Sequence, residues 1–200
     1  MTSVANNPEI IQILTNPFAL TEGFAGPAQP AGAIPQYDDE LSSWSAPFIM
    51  APINTKNIHR SNFLLGHRYG MDFRYDEMLL TGDGEQGKAT AEFVAKDDSV
   101  AKSELQPGDG PTKEERENGD YEAIFAGTSS DGELMISSVK GDRDPGYGST
   151  SKMLAEAAMC LLKNPELASG GLWTPASALG EKLVERLEAH AGLTFEIEQG

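Results

Sequence analysis

The sequence predicts an α+β fold, and three observations carry that prediction. Segments with helical spacing and segments with strand alternation both occur, but without a regular β-α-β rhythm, which points to an α+β layer structure. The clearest strand pair, "DYEAIFAG" (120–127) and "GELMISSVKG" (132–141), is joined around the turn-forming "TSSDG" and reads as a hairpin. Two strong helical patterns follow it, and "LTFEIE" (193–198) closes the chain as a strand.

In chain order, "PEIIQIL" (8–14) opens with a proline suited to a first helical position and predicts a short helix. Residues 16–47 are rich in Pro, Gly and Ala without a sustained period; they predict a long irregular connector anchored by Trp44. From Pro52 onward, Ile58, Phe63, Leu64 and Leu65 fall near helical spacing, with Asn54 or Thr55 as N-cap and Gly70 as the stop. "DFRYDEMLL" (72–80) alternates as a strand, whereas 81–111 is acidic, Gly-rich and nearly free of large apolar residues, as expected of a mobile excursion. Thr112 with Glu115 forms a capping box, and Gly119 stops the short helix it starts.

In the first of the two strong helical patterns, Met153, Leu154, Ala157, Ala158, Leu161 and Leu162 predict one wide buried face, capped by Ser149 or Thr150. In the second, Thr174 caps, Pro175 opens, Leu179, Leu183 and Leu187 form the stripe, and Gly192 ends the helix. No internal repeat is evident.

Composition excludes several functions. The 200 residues hold 15 Lys and Arg against 31 Asp and Glu, a formal charge of −16. Duplex affinity comes largely from cations neutralising phosphates, so a nucleic-acid binder is disfavoured. The single Cys160 sits among apolar neighbours and reads as a small core residue of a reducing compartment, here the cytoplasm. No leader pattern and no run of 18 apolar residues is present, so neither a signal peptide nor a membrane span is expected.

The stretch "DPGYGSTSKMLAEAAMCLL" (144–162) is a glycine-rich turn entering an apolar helix. Gly146, Gly148 and Ser151 approach the dinucleotide fingerprint, whose glycines bring the backbone close to a pyrophosphate. A genuine fingerprint follows directly from a buried strand, whereas "KGDRDP" intervenes here, so a tight turn capping a core helix is the stronger reading. The three histidines, His59, His67 and His190, lack companions at metal-ligand spacing, and no metal is expected. Between 56 and 75, Lys56, His59, Arg60, His67, Arg68 and Arg74 face one acid, Asp72. Such an island can focus an anion, or its charges can pair internally with the acidic surplus, the heavier of the two readings.

Four blocks resemble a known family: "APFIMAPINTKNIHRSNFLLGHRYGMDFRYDEMLLTG", "GDGPTKEERENGDYEAIFAG", "DPGYGSTSKMLAEAAMCLL" and "GLWTPASALGEKLVERLEAHAGLTFEI". In order and spacing they resemble the C-terminal half of the saccharopine-dehydrogenase-like oxidoreductases, and within these the trans-acting enoyl reductase group. The resemblance implies one substrate-side domain over 1–200, a mixed, mostly antiparallel sheet with helices on one face, a wall of the substrate cleft and a candidate homodimer interface. It also implies NADP- or NAD-dependent double-bond reduction in the complete protein. The cofactor would be held by a Rossmann domain of the same or a neighbouring polypeptide and none by this chain alone.

On that reading a small anionic or acyl substrate meets Lys56 and Arg60, Asn54 and Asn62 give polar positioning, and Tyr147 donates a proton from its turn. The alternative is a non-catalytic stand-alone binding or dimerisation module derived from the same domain. No nucleic-acid partner and no transmembrane span enter either reading.

Overall fold

The computed structural model describes residues 7–98 and 108–199. The α+β class holds, with strands that all pair antiparallel in two three-stranded sheets. The chain divides into two compact units, Met1–Lys102 and Ser103–Gly200, each with its own sheet.

The first unit opens with helix α1 (Pro8–Thr15). The connector that follows is irregular to residue 35, yet side chains hold it. The buried Thr21 hydroxyl donates to the Phe18 and Phe24 carbonyls, and Gln29 bonds the backbone of both Phe73 and Tyr75. Contrary to the expectation of irregularity throughout 16–47, its end forms strands β1 (Gln36–Asp38) and β2 (Ser43–Pro47). Small side chains make this possible, since Ser43, Ser45 and Ala46 bury without needing a large core. Trp44 packs edge-on to Tyr37, and Lys88 lies 5.5 Å from the centre of its ring.

Helix α2 (Ala51–Leu64) follows, then β3 (Met78–Gly82), giving the sheet order β1-β2-β3. The helix starts earlier than Asn54 or Thr55, with Met50 at the N-cap and Pro52 in the first turn, and it stops before Gly70. The stop lies at Gly66 and His67, both left-handed at φ 66° and 62°. Inside the stretch expected as an excursion, α3 (Gly84–Val94) forms with Asp83 at its N-cap. A short run of small residues suffices because α3 seats closely on the sheet: Ala91 is buried, and a Cβ at Gly87 would fall on the Gly82 carbonyl.

The second unit begins with α4 (Lys113–Asn118), whose Thr112–Glu115 capping box and Gly119 C-cap are as the sequence predicts. The hairpin is β4 (Tyr121–Thr128) and β5 (Leu134–Gly141), and β6 (Leu193–Gln199) pairs with β5. A π-helical turn, Pro145–Ser149, leads into α5 (Thr150–Lys163). The last helical pattern breaks into α6 (Pro175–Leu179) and α7 (Glu181–His190) at Gly180, which adopts φ 51°. The core joins Leu187, Ala191 and Leu193 to Val139, Met153, Leu183 and Phe195.

The buried face of α5 differs from the expected one. Cys160 is fully buried and Met153 packs on the core, but Leu154, Leu161 and Leu162 are exposed. The reason is electrostatic as well as steric: Glu156 lies between Met153 and Cys160 in the inward register, and it pairs with Arg186 of α7.

Candidate functional site

Helix α2 carries four of the five residues singled out from the sequence. Lys56 and Arg60, four apart, share one side of it. The Lys56 ammonium donates to the Pro52 carbonyl at 2.6 Å. The Arg60 guanidinium donates to the Leu20 carbonyl at 2.8 Å and meets the Glu22 carboxylate at 3.3 Å. The Asn54 amide donates to Glu77 at 3.0 Å. Asn62 is buried; its amide donates to the Gly70 carbonyl and its oxygen accepts from the Tyr69 N–H, both at 2.8 Å. Each of these residues therefore holds a piece of the fold around α2, and Asn62 fixes the loop that leaves it.

Aromatic rings surround the same helix. His59 is buried, with Phe18 at 4.5 Å and Phe73 at 5.8 Å between ring centres, while His67 packs on Phe24 and Phe63. The Nε2 of His59 is buried without a hydrogen-bond partner, and burial holds the imidazole below its ordinary value. Burial also raises the Tyr75 phenol, aided by the Glu77 and Asp76 charges, to about 12. One Glu77 carboxylate oxygen is buried without a partner.

A pH dependence follows from His59. A histidine whose folded value is depressed binds fewer protons folded than unfolded, so its contribution is complete above the unfolded value of about 6.5 and is lost as pH falls below it. The stability of the wild type should decline from pH 7 toward pH 5. His59→Leu should flatten that slope in urea titrations across the window; an unchanged slope would exclude His59 as the cause.

Tyr147, the fifth residue, lies on the π-helical turn of the second unit and is exposed. The turn answers the dinucleotide question. Ser149 takes the N-cap position of α5, one of the two expected, but makes no side-chain cap: its hydroxyl bonds that of Tyr121 at 2.9 Å, and the Thr150 hydroxyl donates to the Pro145 carbonyl at 2.6 Å. The acceptor is Asp144, whose carboxylate takes the N–H groups of Gly146, Tyr147 and Gly148 at 3.0, 3.0 and 2.5 Å. Desolvation acts to raise this carboxyl. The three backbone donors and the Arg116 charge outweigh it and hold the group below the usual carboxylate range. An internal carboxylate thus sits where the fingerprint would place a phosphate, and the turn does not fit a dinucleotide.

Beside the turn lies an open concavity of about 330 Å³, lined by Lys113, Arg116, Glu117, Arg143, Gly148, Ser151 and Lys152. Sequence reasoning did not find it. Its cations are scattered over 40 positions among acids, and only the packing of α4 against the turn gathers them. Among the described residues no group of three or more His, Cys, Asp or Glu is placed to hold a metal, and no helix is long and apolar enough to cross a membrane.

The chain is 31% identical, over 98% of its length, to a Mycobacterium tuberculosis protein provisionally named trans-acting enoyl reductase, of which it covers 53%. It is 27% identical, over 94% of its length, to the trans-acting enoyl reductase of Mycobacterium ulcerans, covering 51% of that protein. Against the trans-acting enoyl reductase of Mycobacterium bovis the identity is 28% over the same share of each chain. The chain therefore spans about half the length of the curated relatives it matches. No protein-family model and no solved structure matches it.

Proposed function

From its homology along nearly the whole chain to the trans-acting enoyl reductases, we propose that this protein supplies the substrate-side part of an NAD(P)-dependent enoyl reductase of saccharopine-dehydrogenase-like type. The observation that carries the reading is the extent of the similarity: at least 94% of this chain aligns with about half of each relative. The reading assigns the nicotinamide cofactor to a Rossmann domain elsewhere, because the glycine-rich turn that approaches the dinucleotide fingerprint has its N–H groups taken by Asp144. No step of hydride transfer is assigned to residues of this chain.

What the chain would contribute is binding and orientation. Lys56 and Arg60 are the proposed contacts for an anionic group, and Arg60 would exchange its exposed Glu22 partner for that group. Asn54 and Asn62 would act as positioning residues, holding Glu77 and the 66–70 loop. Tyr147, an exposed phenol on a turn fixed by three hydrogen bonds, is the proposed proton donor.

The test is calorimetric titration of the chain with NADPH and NADH, alone and with a separately expressed Rossmann domain from a relative. Nucleotide binding by the pair and not by the chain alone is the expected result. Reductase turnover by that pair should then fall by about tenfold or more in Tyr147→Phe, as loss of a general acid requires. Nucleotide binding by the isolated chain would overturn the assignment of the turn. Failure of the pair to assemble or bind would favour the stand-alone binding or dimerisation module.

A further inference from the structure

We propose that the concavity beside the 144–150 turn is a binding site for a phosphoryl dianion, held by Lys113, Arg116, Arg143 and Lys152. Residues 108–199 carry eight Lys and Arg against seventeen Asp and Glu, yet four of the eight line this one concavity with a single acid, Glu117. Like charges gathered in this way repel one another, and the local acids answer them only in part. Glu117 lies 3.8 Å from Lys113 and 3.7 Å from Arg143, beyond the 2.7–2.9 Å or so of a charge-assisted hydrogen bond. Lys152 meets Asp142 at 3.2 Å, but Asp142 does not line the concavity. Glu117 is thus a loose bridge between two cations, which an anion of higher charge can displace.

Two of the cations, Arg116 and Lys152, are also held in place before any ligand arrives. Arg116 donates to the Pro111 carbonyl at 2.7 Å, and its own carbonyl accepts from the Asp144 N–H at 3.2 Å, which ties α4 to the turn. A Cβ at Gly148 would come within 2.8 Å of that same carbonyl and 3.0 Å of the Arg143 side chain. The floor therefore admits no side chain, and α4, the turn and the start of α5 keep a fixed spacing. Lys152 is braced by the Ala191 carbonyl at 3.2 Å.

The chemistry selects the ligand. Because Asp144 already occupies the backbone donors, recognition falls to side chains, and two guanidinium forks with two ammonium groups suit a tetrahedral group that accepts from several directions. The volume, at the low end for small-molecule sites, suits one phosphate or the phosphate end of a larger ester. Charge pairing in an open site is screened, so binding should weaken steeply as salt rises. It should also fall below about pH 6, where a phosphate ester loses its second charge.

The experiment titrates the full chain with inorganic phosphate at fixed ionic strength and follows backbone amides by NMR, with chloride as the control anion. Saturable shifts at Arg143, Gly148, Ser151 and Lys152 are expected. The Lys113→Ala, Arg143→Ala double variant should lose about tenfold or more in affinity, a difference of about 1.4 kcal/mol. Arg143→Lys, which keeps the charge without the fork, should retain part of it. Lys113→Glu, at a side chain 78% exposed, reverses one charge with little risk to folding and should weaken binding several-fold. Glycerol 3-phosphate forms the second arm: tighter binding than phosphate marks a site for esters, and equal binding a site for the free ion. Shifts that do not saturate, that chloride reproduces, or that survive unchanged in a folded double variant would overturn the proposal. Neither cofactor nor turnover enters the measurement, so its failure leaves the reductase reading intact.

Discussion

Arg186→Ala is expected to destabilise the second unit by about 2–4 kcal/mol, because it strands Glu156 as an unpaired, largely buried carboxylate. The two side chains are only 15% and 18% exposed, and they join α7 to α5 across the edge of the small core formed by Leu187, Ala191 and Leu193. With a urea slope of about 2 kcal/mol per M, the unfolding midpoint should fall by about 1–2 M. The double variant Arg186→Met, Glu156→Leu removes both charges and should recover most of the loss, since well-packed apolar pairs often replace buried ion pairs without cost. A single-variant loss below about 0.5 kcal/mol would place this pair with ordinary surface bridges and defeat the assignment.

Asn62→Ala is expected to cost the first unit about 2–4 kcal/mol. The substitution removes two hydrogen bonds at once, leaves the Tyr69 N–H and Gly70 carbonyl without their partner, and opens a cavity in a buried site. Its local signature should be specific. Hydrogen exchange at the Tyr69 amide should accelerate far more than at strand β2, because the loop carrying left-handed Gly66 and His67 loses its clamp. Equal acceleration at both places would mean that Asn62 supports the unit as a whole.

Much of the fold was legible in the sequence where a local rule acts alone. The Thr112–Glu115 box, the 120–141 hairpin and the Pro8 and Pro175 helix starts all depend on neighbours in the chain. Reading failed where a distant group decides. The wide stripe on α5 counted leucines, but the inward side is set by a charge pair with α7, which leaves Leu154 and Leu162 outside. The α6–α7 break depends on one backbone conformation at Gly180 that an otherwise unbroken helical pattern hides. Strands β1 and β2 set Gln36 and Asp38 against serines around one aromatic pair, Tyr37 with Trp44, too short a run with strand preference to read without its partner.

The candidate site divides in the same way. Asn54, Lys56, Arg60 and Asn62 were recognised as polar groups on one helix, but their targets at Glu77, Pro52, Leu20 and Gly70 lie from 4 to 40 residues away. Sequence spacing could mark the donors and could not assign the acceptors. The cationic concavity was invisible for the complementary reason: Lys113 and Arg116 share α4, but Arg143 and Lys152 reach them from other parts of the chain, and nothing in the spacing joins the three.

Asp144 has a further consequence. Its carboxylate is tethered within four residues of the donors it serves, so it competes as an intramolecular ligand at a high effective concentration. A free anion would have to displace it from three N–H groups to reach the backbone. The turn is in this sense self-liganded, and its shape is buffered against the ionic composition of its surroundings. A fluctuating pool of phosphate or carboxylate metabolites can reach the side chains around it while the scaffold that carries Tyr147 keeps one conformation.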